Sequence, residues 1–338
     1  MKVAVLSFAH ERAATYARLL HGMPDVDLVV ADPDGAPDDP ARGRSTARRL
    51  GAVYADGWDE VFALRPDAVV VTGEAGRRRE LVERAAGAGA QVLCEHPPTA
   101  GAADAADAEA MAQVCQDMGV RLSMASPACF GPAFAAVRRE IAEGEVLGRL
   151  TTVHGAYNRP RPAGQRAARS GALDTNAPHL LDMVDTVLGG IPAEQVYAQS
   201  NSILGAEPDV ESAALVTVRY ADGTVASLDC SWGPADQGPA VGGPAMTFIG
   251  DRASVEFTTA PRLLGGFDSA TSRERWGTRG DNPYAVMLGE FVDAVRRGSG
   301  AGPDGAAGAR TLRIIQAVRV SARTGQPVEP AVPQTVLP

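Results

Sequence analysis

Short apolar runs alternate with amphipathic stretches through the first 125 residues. The runs at 3–6, 26–30, 68–71, 92–94 and 121–125 have the continuous hydrophobicity of strands buried on both faces. The stretches at 12–20, 41–50, 77–86 and 104–118 repeat apolar residues at helical spacing and are long enough to cross over between parallel strands. Beyond residue 127 the rhythm changes. It predicts a helix over 132–143, a strand over 150–157, a proline-broken loop over 158–170, and a helix over 178–188 with Pro178 in its first turn and Asn176 or Thr175 as its cap. Two hairpins follow, turning at Asp222-Gly223 and Gly250-Asp251, and they read as an antiparallel sheet. Helices over 283–296 and 306–323 close the chain.

The fold class is therefore α/β: an N-terminal Rossmann-type, doubly wound parallel sheet, then an α+β domain with a largely antiparallel, open-faced sheet. The boundary is expected near residue 125, giving domains 1–125 and 126–338, with the C-terminal helices packing back on the first.

Composition narrows the partners. A formal charge of -9 and 22% charged residues lack the clustered cations that nucleic acid or an anionic membrane requires, so a small-molecule substrate is expected. No apolar run approaches the ~20 residues of a membrane span, and the chain enters a strand at once without a cationic leader. The four cysteines have no metal or redox spacing. These features predict a cytoplasmic protein without a metal. Apolar residues on both faces of 215–220 predict a homodimer or homotetramer, because a sheet covered on one side alone would leave a large patch in water.

Several segments carry chemistry. Strand 92–94 runs into Glu95-His96-Pro97, and 171–182 reads Gly-Ala-Leu-Asp-Thr-Asn-Ala-Pro-His-Leu-Leu-Asp. His179 and Asp182 share one helix face by spacing. The tail carries Glu290-Phe291, Gly305-Ala306-Ala307-Gly308-Ala309-Arg310 and Ser321-Ala322-Arg323-Thr324-Gly325. Together these segments resemble the glucose-fructose oxidoreductase and inositol dehydrogenase (Gfo/Idh/MocA) family over nearly the whole chain.

The resemblance implies an NAD-dependent oxidoreductase acting on a secondary alcohol or ketone of a sugar-like or cyclic polyol substrate. It also marks departures. The family ends its fifth strand in Glu-Lys-Pro, but Lys2 is the only lysine here, so His96 stands where the proton-handling lysine would be. An imidazole titrates near neutrality and can take over that work; a packing role is the alternative. The family's Asp-x-Gly-x-His-x-x-Asp motif keeps His179 and Asp182, while Asp174 falls one residue early and Thr175 takes its register. His96, His179 and Asp174 are the expected catalytic residues. Cys129 replaces an arginine of the family and reads as an inert thiol.

The glycine-rich turn is replaced by Ser7-Phe8-Ala9-His10-Glu11-Arg12. Ser7 and Ala9 are small enough to admit a pyrophosphate, and Arg12 reads as a solvated helix residue or a phosphate contact. Asp32 is placed to bind a ribose diol and disfavour a 2′-phosphate, or else it belongs to the turn Asp32-Pro33-Asp34-Gly35. With Thr72 and Glu95 these complete the expected cofactor set, for NAD rather than NADP. Thr152, His154, Ala156 and Asn158 share a strand face, which makes His154 and Asn158, with Arg159 and Arg161 of the next loop and Thr175, candidates for substrate contact. A non-redox lyase or isomerase using the two histidines, and a cofactor-free accessory protein, are the competing readings.

Overall fold

A computed structural model describes residues 1–96, 105–160, 171–204, 210–233, 243–259, 262–268, 273–279 and 282–330. The chain divides into two compact units, 1–131 with 282–312 and 132–281 with 313–338.

The first unit begins β1 (Lys2–Leu6), α1 (Ala13–His21), β2 (Asp27–Ala31), α2 (Gly43–Leu50), β3 (Val53–Ala55), α3 (Trp58–Ala63), β4 (Ala68–Val71), α4 (Ala75–Gly87), β5 (Gln91–Glu95), α5 (Ala105–Asp117) and β6 (Leu122–Ala125). The strands form one parallel sheet in the order β3-β2-β1-β4-β5-β6. This order reverses between β1 and β4, and ligands of open α/β sheets bind outside the carboxyl ends of strands at such a reversal. Val3 to Leu6 and Ala68 to Val71 are buried throughout, as strands covered on both faces must be. β3 and α3 escape the sequence pattern because the strand is a short, partly exposed edge.

The second unit holds α6 (Pro132–Glu143), β7 (Leu150–Ala156), α7 (Ala172–Leu188), β8 (Ala193–Asn201), β9 (Ala213–Tyr220), β10 (Val225–Asp229), β11 (Ala245–Gly250), β12 (Ser254–Thr258), β13 (Arg262–Asp268) and β14 (Arg273–Arg279). α8 (Pro283–Arg297) belongs to the first unit, and the boundary falls within α9 (Gly305–Thr324). A mixed sheet runs β12-β11-β7-β10-β9-β8. Both predicted hairpins form, but β7 and β10 pair in parallel, so the sheet is not wholly antiparallel.

One face of this sheet is packed. Val153, Val216, Val218, Leu228, Met246 and Phe248 are buried on it. A side chain at Gly155 would run into Met246, Leu228 and Leu180 of α7, which places that helix against this face. The other face is open, with Leu215 60% and Tyr197 37% exposed beside an Arg219–Glu194 ion pair. Among the described residues no helix is long and apolar enough to cross a membrane, and no group of His, Cys, Asp and Glu is arranged to hold a metal ion.

Candidate active site

At the carboxyl end of β1 the chain turns at Ser7, whose φ of 70° lies in the left-handed region. Glycine adopts that conformation freely, and an L side chain gives up about 1–2 kcal/mol to hold it. Ser7 thus holds, with a side chain, a conformation that favours glycine. Thr72, buried at the end of β4, fastens it: its hydroxyl donates to Ser7 O (2.8 Å), and its own carbonyl accepts from His10 N (3.2 Å). Thr72 thus shapes the loop from below.

The amides of Ala9 and Arg12 point to Ser7 Oγ and His10 Nδ1, each at 3.3 Å. Both bonds are longer than the 2.9–3.0 Å usual for a backbone N–H donor. The left-handed turn at Ser7, the small side chain of Ala9 and the two backbone amides fit the pyrophosphate of a dinucleotide.

Asp32 is a different matter. Its side chain is fully buried, Oδ1 accepting from Phe8 N (3.1 Å) and Arg42 Nη2 (2.8 Å), Oδ2 from Arg42 Nε (2.9 Å) and Gly43 N (2.9 Å). An ionised carboxylate offers about four lone-pair directions, and here all are taken. The expected contact with a ribose diol therefore meets a carboxylate already covered by a guanidinium. The turn reading also holds, since Gly35 N donates to Asp32 O (3.1 Å).

Glu95, at the end of β5, is the hub of a buried charge cluster. Its carboxylate accepts from Tyr16 Oη (2.7 Å), His96 N (3.1 Å) and Arg12 Nη1 (3.4 Å), and its carbonyl from Arg78 Nη1 (3.2 Å). Burial pushes this carboxyl up, but His10, Arg12, the Tyr16 hydroxyl and Arg78 outweigh it and hold it down to about 2. His10 has two alternative roles. Neutral, it accepts from Arg12 N; protonated, it faces Glu95 Oε2 at 3.7 Å. Arg12 is accordingly no solvated helix residue: it is drawn onto Glu95 and stacks over the Tyr284 ring at 5.2 Å. His96 is 6% exposed, with its backbone fixed by Glu95. Cys129 is buried, with its thiol 3.7 Å from Ser126 Oγ.

In the second unit α7 begins six residues before Pro178, so the proline lies inside the helix and neither Asn176 nor Thr175 is its cap. The extra turn is anchored from outside: Ala172 N donates to Glu211 O (2.9 Å) and Leu173 N to Glu211 Oε1 (3.1 Å). Burial leads the causes that push the Glu211 carboxyl up, with Asp174 adding to it.

His179 is 7% exposed and meets the Tyr157 ring edge-on, centroids 5.6 Å apart; Asp182 is fully buried on the same helix face. Asp174 is separated from His179 by about 140° of helical rotation. Its carboxylate pairs with Arg319 instead. The carboxylate of Asp174 therefore lies on a different face of α7 from His179. Thr175 Oγ1 donates to Gly171 O (3.1 Å) and accepts from Trp232 Nε1 (3.3 Å), and Asn176 Nδ2 reaches Ser231 O (3.1 Å).

His154 is exposed and alternates with Gly155 on β7, so it lies on the open face of the sheet, away from α7 and His179. Asn158 is exposed and donates to Ser231 O (3.4 Å), while Arg159 O accepts from Gly233 N (2.9 Å). Arg161 lies outside the described residues.

Arg42, Tyr16, Arg78, Tyr284, Glu211 and Arg319 did not stand out in the sequence. Each acts through a partner distant in the chain or across a loop. Only Tyr16 carried a local signal, being one helical turn beyond Arg12.

Two family models match the chain: an oxidoreductase family with an NAD-binding Rossmann fold over residues 35–126, and the GFO/IDH/MocA C-terminal domain over 134–256. The chain belongs to the GFO/IDH/MocA family. It is an oxidoreductase with the family's NAD-binding Rossmann domain and mixed second sheet. It is 28% identical to inositol 2-dehydrogenase 2 of Paenarthrobacter aurescens over 56% of this chain and 58% of that protein. It is also 28% identical to 1,5-anhydro-D-fructose reductase of Ensifer adhaerens, over 97% of this chain and 90% of the relative. The crystal structure of GenD2 from gentamicin A biosynthesis, in complex with NAD, superposes with a TM-score of 0.81 at 23% identity, covering 98% of this chain and 97% of GenD2.

Proposed function

We propose that this chain oxidises a secondary alcohol, or reduces the matching ketone, on a sugar-like or cyclic polyol substrate, with His179 and His96 handling the hydroxyl proton. The observation that carries this reading is His179, buried on α7 one helical turn from Asp182, in the spacing of the family's motif. A neutral imidazole takes a hydroxyl proton as the C–H bond breaks and returns it in the reverse direction. In this reading His96 does without a lysine what the family's ammonium would do, and its backbone N–H donates to the Glu95 carboxylate. The bound dinucleotide supplies or accepts the hydride. Its pyrophosphate would lie on the Ser7–Arg12 turn, shaped by Thr72, and its adenosine ribose at Asp32 and Arg42. Asp174, paired with Arg319, would set the first turn of α7 and stay out of the chemistry.

Turnover of a panel of inositols, sugars and anhydro-sugars, followed through reduced-dinucleotide absorbance, tests the assignment. His179→Ala and His96→Ala should each lower kcat by about 100-fold or more while dinucleotide affinity stays the same. Wild-type turnover in His96→Ala would remove it from the mechanism. The competing reading, a cofactor-free accessory protein, differs from this one in its dinucleotide binding. Lack of binding at millimolar NADH and NADPH would establish that reading.

The open sheet face, with Leu215 and Tyr197 at the surface, supports self-association into a dimer or tetramer. A monomeric mass at micromolar concentration would contradict it.

A further inference from the structure

At the carboxyl end of β2 the group that meets solvent is a guanidinium. Asp32 has no exposed side-chain surface, while the Arg42 side chain keeps 20% of its own. Arg42 spends Nε and Nη2 on Asp32, and its Nη1 has no hydrogen bond to the described residues. Two glycines make room for this fork. A Cβ at Gly35 would come within 2.4 Å of Arg42 Nε and 2.5 Å of Asp32 Oδ2, and one at Gly43 within 2.6 Å of Asp32 Cβ. Tyr54 donates to Asp32 O (3.1 Å) and holds the same turn from the far side. The arrangement is built, not incidental: four donors saturate the carboxylate, and the backbone around it is bare where the guanidinium passes.

An uncovered acidic side chain at this place selects for NAD, because it accepts from the ribose diol and repels a 2′-phosphate. Here both effects are cancelled. The diol finds no vacant acceptor position, and the charge of Asp32 is matched by a cation closer to solvent. An arginine fork binds phosphate oxygens through its remaining donors.

We propose that Arg42 is the residue that sets dinucleotide specificity in this chain, and that by covering Asp32 it makes NADPH bind at least as tightly as NADH. The inference rests on the dinucleotide reading given under Proposed function and concerns the adenosine end alone.

The test is a titration of the full chain with NADH and NADPH, read by the fluorescence of the bound reduced nicotinamide. For the wild type the NADPH Kd should equal or fall below the NADH Kd. Arg42→Ala uncovers the carboxylate and should move the ratio of the two Kd values about 10-fold toward NADH. Asp32→Asn frees the guanidinium from its counter-charge and should move the ratio the other way by a similar factor. The opposite signs separate a specificity effect from a general loss of folding, and Asp32→Asn carries the test if Arg42→Ala fails to fold. Wild-type protein preferring NADH 10-fold or more, or a ratio unmoved by either substitution, overturns the role of Arg42 and leaves the oxidoreductase reading standing. Absence of binding by both dinucleotides at millimolar concentration overturns the two together.

Discussion

The β1–α1 turn and the first half of α7 are both places where the chain departs from its family, and they depart in different ways. Around the turn Ser7 holds a φ that favours glycine, and the polar groups nearby, Asp32 and Glu95, are held by internal partners such as Arg42, Arg12 and Tyr16. On α7 the motif's histidine and second aspartate remain, and what has shifted is the first aspartate, which now serves the helix start through Arg319. A substitution near the turn should thus register first in stability and binding. One at His179 should register in turnover. The difference follows from what each group touches.

The strongest way to break this contrast is Glu95→Gln. The carboxylate is fully buried and pairs with Arg12, so the amide removes the charge that Arg12 faces. Removing one partner of a buried ion pair costs about 3–5 kcal/mol, and denaturant unfolding should show a loss of that size. The pH dependence gives a second reading. The folded carboxyl is held at about 2, below its ordinary value of 4.5. A depressed carboxyl contributes stability that is complete above the unfolded value and is lost as pH falls through the folded one, so this contribution should disappear between about pH 4.5 and 2. The Gln variant should lack that part of the acid slope. If Glu95→Gln unfolds at the wild-type denaturant midpoint, the cluster is not what holds the turn.

The legible part of the fold was the part governed by local pattern. Runs such as Val69 to Val71, buried on both faces, announce parallel strands without help from elsewhere, and Gly223, at φ 91°, makes the Asp222-Gly223 hairpin readable from its dipeptide. β8 was missed because it is a polar edge with only Val196 and Ala198 buried. The start of α7 was misjudged for a related reason. Proline favours a first helical turn, and only Glu211, far along the chain, reveals that the helix has an earlier anchor. At the candidate site, His96, His179 and Asp32 were legible as positions, since strand ends and helix spacing fix where they lie. Their partners were not. The cover on Asp32 comes from Arg42 across a glycine-containing loop, and the neighbours of Glu95 come from two helices, contacts that no periodicity encodes.

The smallest expected effect sharpens the comparison from the α7 side. Asp174 stands in the acidic first turn of the helix and pairs with Arg319, but the two side chains are 30% and 26% exposed. A pair so open to water contributes no more than about 1 kcal/mol, and part of that is screened. Asp174→Asn should therefore lower stability by under about 1 kcal/mol, less in high salt than in low. Its effect on kcat should stay within a few-fold, because the carboxylate is turned away from His179 and cannot orient the imidazole. This is the informative arm. If Asp174→Asn instead lowers kcat by the ~100-fold expected for loss of a proton-handling group, the carboxylate must leave Arg319 during turnover and swing to the substrate. α7 would then resemble the turn at Ser7, a motif whose function survives a change of register, and the contrast between the two regions would fail.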